Sequence, residues 1–122
     1  MTLTNNEIYI YAKNLTEAFN DKDQKLPIKI NFYLQKNKNI LSEMALEIEK
    51  ERIGIASSCG VLDETGGQYV IPPEKIVEVS KELEELLSLT QEVQIYTIKL
   101  EDLDSELMLT TMQMEALMFM IE

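Results

Sequence analysis

Histidine and tryptophan are absent from these 122 residues, and cysteine occurs once. The missing imidazole removes the commonest general base and metal ligand. No serine or threonine can be activated in a histidine-based triad. One cysteine allows neither a disulfide framework nor a thiolate zinc site, and suits a reducing, intracellular setting. Cys59 has no basic neighbour to lower its thiol pKa, so it reads as structural rather than nucleophilic. Glycine and proline are also scarce, at four and three. Three of those glycines and two of the prolines fall between Cys59 and Lys75, in "CGVLDETGGQYVIPPEK". Long apolar runs are missing as well. The N-terminal "MTLTNNEIYIY" lacks the basic and apolar regions of a signal peptide, and "ALMFMI" is too short to span a membrane.

What is present is a globular composition with 45% hydrophobic residues and a formal charge of −11. The length predicts one domain over 1–122, large enough to bury a core without staples. The charge is uneven. Residues 1–61 hold eight basic and eight acidic side chains, whereas 62–122 hold three basic and fourteen acidic ones. A chain this acidic repels nucleic-acid backbones over long range, which argues against general DNA or RNA binding. Within the neutral half, Lys22, Lys25, Lys29, Lys36 and Lys38 are opposed only by Asp23. That cluster is either a solvated helix start or a patch for a small anion.

The pattern reads mainly as helix. Thr4 and Glu7 form a capping box ahead of a helix to about residue 20, with Ile8, Tyr11, Leu15 and Ala18/Phe19 as its apolar stripe. Pro27 suits the first turn of a long helix over 28–57. Its stripe is Ile30, Leu34, Leu41, Met44/Ala45, Ile48 and Ile55, and Asn37 stands where an apolar residue is expected. A helix of that length calls for an antiparallel partner helix or a partner chain. "GVLD" and "QYVI" around Gly66 and Gly67 give a hairpin over 61–71. Pro72 and Pro73 close it and open a helix over 73–89, striped by Ile76, Val79, Leu83 and Leu86/Leu87. "EVQIYTIKLEDL" changes to strand periodicity and predicts a strand over 92–100, with "TLT" and "ELML" (106–109) as candidate neighbours. Thr110 and Gln113 make a second capping box before a methionine-rich final helix, apolar nearly all round and so expected to be buried on several sides. The fold expected is α+β and mainly helical: a long antiparallel helix pair with a β-hairpin near its tip and a small sheet near the termini.

No catalytic, cofactor or metal set emerges. Glu47, Glu49 and Glu51 do not share a helix face. Glu78, Glu82 and Glu85 do share one, but it lies opposite the apolar stripe and reads as solvated. "LDETGG" lacks the spaced acids and closing glutamate of a calcium loop, and "ETGG" lacks the following Lys-Ser/Thr of a phosphate cradle. Lys29, Tyr33, Lys36 and Lys38 are the candidate ligand-binding residues, able to stack on and neutralise a nucleotide. Tyr69, Met112, Met118 and Met120 are the candidate interface residues, because methionine adapts its shape to a partner. A homo-oligomer is expected through the long helix or the methionine-rich tail.

In order, "TLTNNEIYIYAKNL", "PIKINFYLQKNKNIL", "GVLDETGGQYVIPPEKI", "EVQIYTIKLEDL" and "LTTMQMEALMFMI" resemble a family of small, uncharacterised phage and prophage proteins of Gram-positive bacteria. The hairpin "VLDETGGQYVI" and the tail "ALMFMI" carry most of that resemblance. It implies an accessory or assembly role in the cytoplasm of the bacterial host and supplies no catalytic residues. The expected function is non-catalytic binding. One form is counter-defence, by sequestering an immune nucleotide signal or blocking an immune protein. The alternatives are a virion structural or assembly factor, such as a tail or head accessory protein, and an acidic DNA mimic resting on the 62–122 charge.

Overall fold

The computed structural model describes residues 1–21, 23–62, 69–103 and 107–122, and the side chains of Cys59, Val61, Leu62 and Tyr69 lie outside this description. A short strand, β1 (Thr2–Thr4), leads into helix α1 (Asn5–Ala18). The Thr4 hydroxyl accepts the Glu7 N–H at 3.1 Å, and the Glu7 carboxylate accepts the Thr4 N–H at 3.0 Å. This reciprocal capping box satisfies two donors that a helix start leaves open. Helix α2 (Ile28–Cys59) follows Pro27 and ends at Gly60. Strands β2 (Val61–Leu62) and β3 (Tyr69–Val70) pair antiparallel, as the hairpin reading requires, and the 63–68 turn between them lies outside the described residues. A 3₁₀ turn at Pro73–Lys75 opens helix α3 (Ile76–Ser88), and strand β4 (Thr90–Glu92) comes next. A second capping box, Thr110 with Gln113, starts helix α4 (Thr111–Leu117), which tightens into a 3₁₀ turn at Met118–Met120.

The architecture is α+β and mainly helical. α2 is the spine, and α1 and α3 both return along it. α1 also packs on α3 and α4, so it occupies the middle of the assembly. The core holds Ile8 and Leu15 of α1, Ile30, Leu34, Leu41 and Ile48 of α2, and Leu117 and Met120 near the end of the chain. These are the stripe positions expected for α1 and α2. Tyr11 is half-buried and stacks on Phe119, with ring centroids 4.4 Å apart and planes 6° from parallel. Among the described residues no helix is long and apolar enough to cross a membrane.

The strand expected over 92–100 is corrected. Only β4 joins a ladder, antiparallel to β1 with Leu3 opposite Gln91. Beyond it the chain takes three partners in turn. Val93 exchanges hydrogen bonds with the first residue: its N–H donates to the Met1 carbonyl at 2.8 Å and its carbonyl accepts the Met1 amine at 3.0 Å. Tyr96 bonds a side chain: the Asn37 amide donates to its carbonyl and accepts its N–H, both at 2.8 Å. Ile98 then forms a parallel bridge with Ile121. The alternating apolar residues of this segment reflect burial against α2, without a neighbouring strand to complete a sheet. Residues 107–109 form no strand either, and Leu107 and Leu109 pack on the core instead.

Asn37 is fully buried, and two further buried amides bridge elements. The Asn5 side chain donates to the Leu86 carbonyl at 2.8 Å and accepts from Gln91 at 2.7 Å, tying α1 to the end of α3. Gln113 donates to the Ala18 carbonyl at 2.9 Å, closing the end of α1 from α4. Removing Asn37 strands two polar groups of Tyr96 at once. Asn37→Ala is expected to lower stability by about 3 kcal/mol in urea unfolding, against less than ~0.5 kcal/mol for the exposed Asn14→Ala. Equal effects from the two variants would show that the Asn37 amide contributes nothing to the fold.

Candidate functional site

The expected lysine–tyrosine site divides across two faces of α2. Lys29, Tyr33 and Lys36 recur at helical spacing and share a side. Lys38 follows Lys36 by about 200° of helix rotation and faces elsewhere. Lys29 donates to the Asp102 carboxylate at 3.1 Å. The Lys99 backbone N–H, reinforced by Lys29, holds the Asp102 carboxyl below its ordinary value. Tyr33 leans on Tyr96, with ring centroids 5.5 Å apart, and the Lys36 ammonium stands 5.4 Å from the Phe32 ring centroid. These three residues therefore form a cation–aromatic ridge on the surface, partly occupied by its own partners.

Lys38 instead lines a cleft of about 600 Å³ between the α1–α2 connection and the first half of α2. Phe19, Asn20, Asp21, Gln24, Lys25, Asn31 and Gln35 line it too. The two ammonium groups outnumber the one carboxylate, and with four amides over an apolar floor they suit a small anion carrying a planar, hydrogen-bonding group. The sequence showed Lys25 within the basic run. The amides carried no signal, because turn-forming Asn and Gln are unremarkable beside a helix start.

A second concavity, about 370 Å³, runs along α4. Its walls are Leu100, Thr111, Met114, Glu115, Met118 and Ile121. The composition of this helix predicts burial on several sides; Gln113, Ala116, Leu117 and Met120 are buried, whereas Met118 is 67% exposed and Met112 52%. Met120 is fully buried within the chain and accepts the Asn37 amide on its sulfur at 3.4 Å. It is a core residue, not a surface one. The Tyr69 side chain lies outside the described residues. Leu100 and Ile121 were missed as groove residues: one sits in a 3₁₀ turn and the other follows one, where apolar periodicity gives no guide.

The carboxylates considered for chemistry occupy plain positions. Glu78, Glu82 and Glu85 are exposed along α3. Among the described residues no three His, Cys, Asp or Glu side chains group to hold a metal ion. Glu49 joins Tyr9 and Arg52 in the tightest ionisable cluster. The Tyr9 hydroxyl donates to its Oε2 at 2.8 Å and the Arg52 Nε donates to the same oxygen at 2.9 Å. Arg52 and then Tyr9 push the Glu49 carboxyl down. Burial, followed by the hydrogen bond to Glu49, raises the Tyr9 phenol to about 12. This cluster joins α1 to α2, and its Tyr9 and Glu49 stand on the wall of an open groove between the two helices. No family model, curated protein or solved structure matches the chain.

A phenol whose folded pKa is raised stabilises the fold below its unfolded pKa, and that contribution is lost as pH rises toward the folded value. Wild-type stability should therefore fall between about pH 10 and pH 12. Tyr9→Phe should flatten that part of the profile in urea unfolding at stepped pH. An identical slope in both proteins would show that Tyr9 titrates alike in the folded and unfolded chains.

Proposed function

We propose that this chain is a non-catalytic protein that acts by docking to another protein, with the groove along α4 as its contact surface. The observation that carries this reading is the exposure of Met118 at 67% and Leu100 at 63%, both lining a single apolar groove. Apolar side chains gathered around a concavity, unlike scattered ones, are the usual mark of a contact surface. Methionine walls suit a partner whose shape the groove must follow. Leu100 also borders a shallow depression bearing Lys99, Glu101 and Glu122, and Glu115 stands in the groove itself, so acids outnumber bases here by three to one. The surface thus favours an apolar segment with basic flanks.

The resemblance to phage and prophage proteins supplies the biological setting: a phage-encoded accessory protein in the host cytoplasm, acting against an immune protein. In bacteria carrying one defined immune system, expression of the chain should restore plating of a restricted phage. Met118→Glu with Leu100→Glu should abolish that relief without changing the unfolding temperature, since both side chains are exposed. Relief that survives the double substitution excludes the groove. If no immune system is relieved and the chain is found in purified virions, an assembly role replaces counter-defence.

The cleft with Lys25 and Lys38 favours a second reading, sequestration of a small anionic nucleotide. Calorimetry with cyclic nucleotides and ADP-ribose derivatives should then give saturable heats that Lys25→Ala with Lys38→Ala removes. Heats absent from the wild-type protein would eliminate this reading and leave the groove reading intact.

A further inference from the structure

The outward face of α2 carries a second pattern, independent of its core stripe. Ile28, Phe32, Leu46 and Ile53 are exposed by 90%, 53%, 64% and 49%. Phe32, Asn39, Leu46 and Ile53 follow one another at intervals of seven. Asn39 is exposed, so this series points away from the core along the whole helix. This repeat supplies one of the two positions per heptad of a paired-helix seam, with an asparagine of the kind that fixes register at some loss of stability; the companion positions are Gln35, Ser42, Glu49 and Ala56, which suits a loose contact.

Charge along the same helix selects the partner and its direction. Residues 28–42 hold Lys29, Lys36 and Lys38 with no acid. Residues 43–59 hold Glu43, Glu47, Glu49 and Glu51 against Lys50 and Arg52. A parallel copy would set like charge on like. An antiparallel copy sets the basic half on the acidic half, twice by symmetry.

We propose that a second copy of this chain packs antiparallel along the outward face of α2, about a two-fold axis near residues 40–41. In that register Ile28 faces the partner subunit's Ile53 and Asn39 faces the partner subunit's Ser42, and Lys36 reaches the partner subunit's Glu43 from about 3 Å along the axis, on the flank of the seam. Phe32 comes to the partner subunit's groove between α1 and α2. That groove, about 420 Å³, is lined by Tyr9, Ala12, Ala45, Leu46 and Glu49 among others, and is mostly apolar. The surface has both a projecting aromatic ring and a recess to receive one, as a two-fold contact requires. The seam is about 39 Å long but only one helix wide, which falls below the roughly 800 Å² per partner of a standard interface. The dimer is accordingly weak, with a dissociation constant on the order of 10 µM.

Sedimentation equilibrium of the full chain from about 1 to about 500 µM should show a reversible dimer. Leu46→Glu should stay monomeric throughout. Lys36→Glu and Glu43→Lys should each weaken the dimer about fivefold, and the two combined should restore it to within about twofold, since the pair is re-formed with its signs exchanged. Direction is read from a spin label at Ile53→Cys in a Cys59→Ser background. Antiparallel packing separates the two labels by about 38 Å, and parallel packing by about 10 Å. A wild-type chain monomeric at the top concentration, a dimer indifferent to Leu46→Glu, or the short label distance would each overturn the proposal.

Discussion

The side chain of Asn37 does the work of a missing β-strand. Its amide presents an N–H and an oxygen to Tyr96 as a peptide group would, and Tyr96 uses both, while the amide nitrogen also donates to the Met120 sulfur. Without it, the extended segment after β4 would run past α2 with its backbone unsatisfied over an apolar surface, an arrangement folded chains avoid. With it, the segment is pinned at its midpoint. Val93 is then free to close on the N-terminus and Ile98 on the C-terminus. Both ends of the chain and the middle of the spine helix are thereby fixed relative to one another by a single buried amide. Tyr96, held in place, braces Tyr33 and the cation–aromatic ridge beyond it.

The same device recurs at Asn5 and Gln113, each sending an amide to backbone groups of another element. Helix ends leave carbonyls without partners inside the helix, and the usual remedies are a glycine cap, water or a nearby side chain. Glycine is nearly absent from the helix ends of this chain. The Gln113 amide meets the carbonyl of Ala18 at the end of α1, and the Asn5 amide meets the Leu86 carbonyl near the end of α3. Directional bonds of this kind fix where one helix ends against another, which an apolar core of Leu and Ile alone would specify only loosely.

These roles mark where sequence reasoning stopped. The two capping boxes were legible because donor and acceptor lie three residues apart and the geometry is local. The stripes of α1 and α2 were legible because burial follows the helical period. Asn37 was visible only as an interruption of a stripe, since its partner lies 59 residues away. The residues at 92–100 showed strand periodicity because they are extended and buried on one side, but periodicity says nothing about what stands beside them. The candidate site divided for the opposite reason. Lys36 and Lys38 are close in sequence, and two residues of helix rotation send them to different faces. Leu100 and Met118, eighteen residues apart, line the same α4 groove.

The charge distribution gives these surfaces their different characters. The second half of the chain holds the excess acid, and its exposed apolar groove inherits an acidic surround at Glu101, Glu115 and Glu122. The polar cleft falls in the basic run near the start of α2, where Lys25 and Lys38 are its cations. The outward face of α2 crosses from one regime to the other within a single helix. A uniformly acidic face would repel its own copy in either direction, and an evenly mixed one would not distinguish the two directions. A helix basic at one end and acidic at the other is complementary to itself only when reversed. In the proposed dimer the charges at the two ends of the spine would set the orientation, which the apolar residues of its outward face do not.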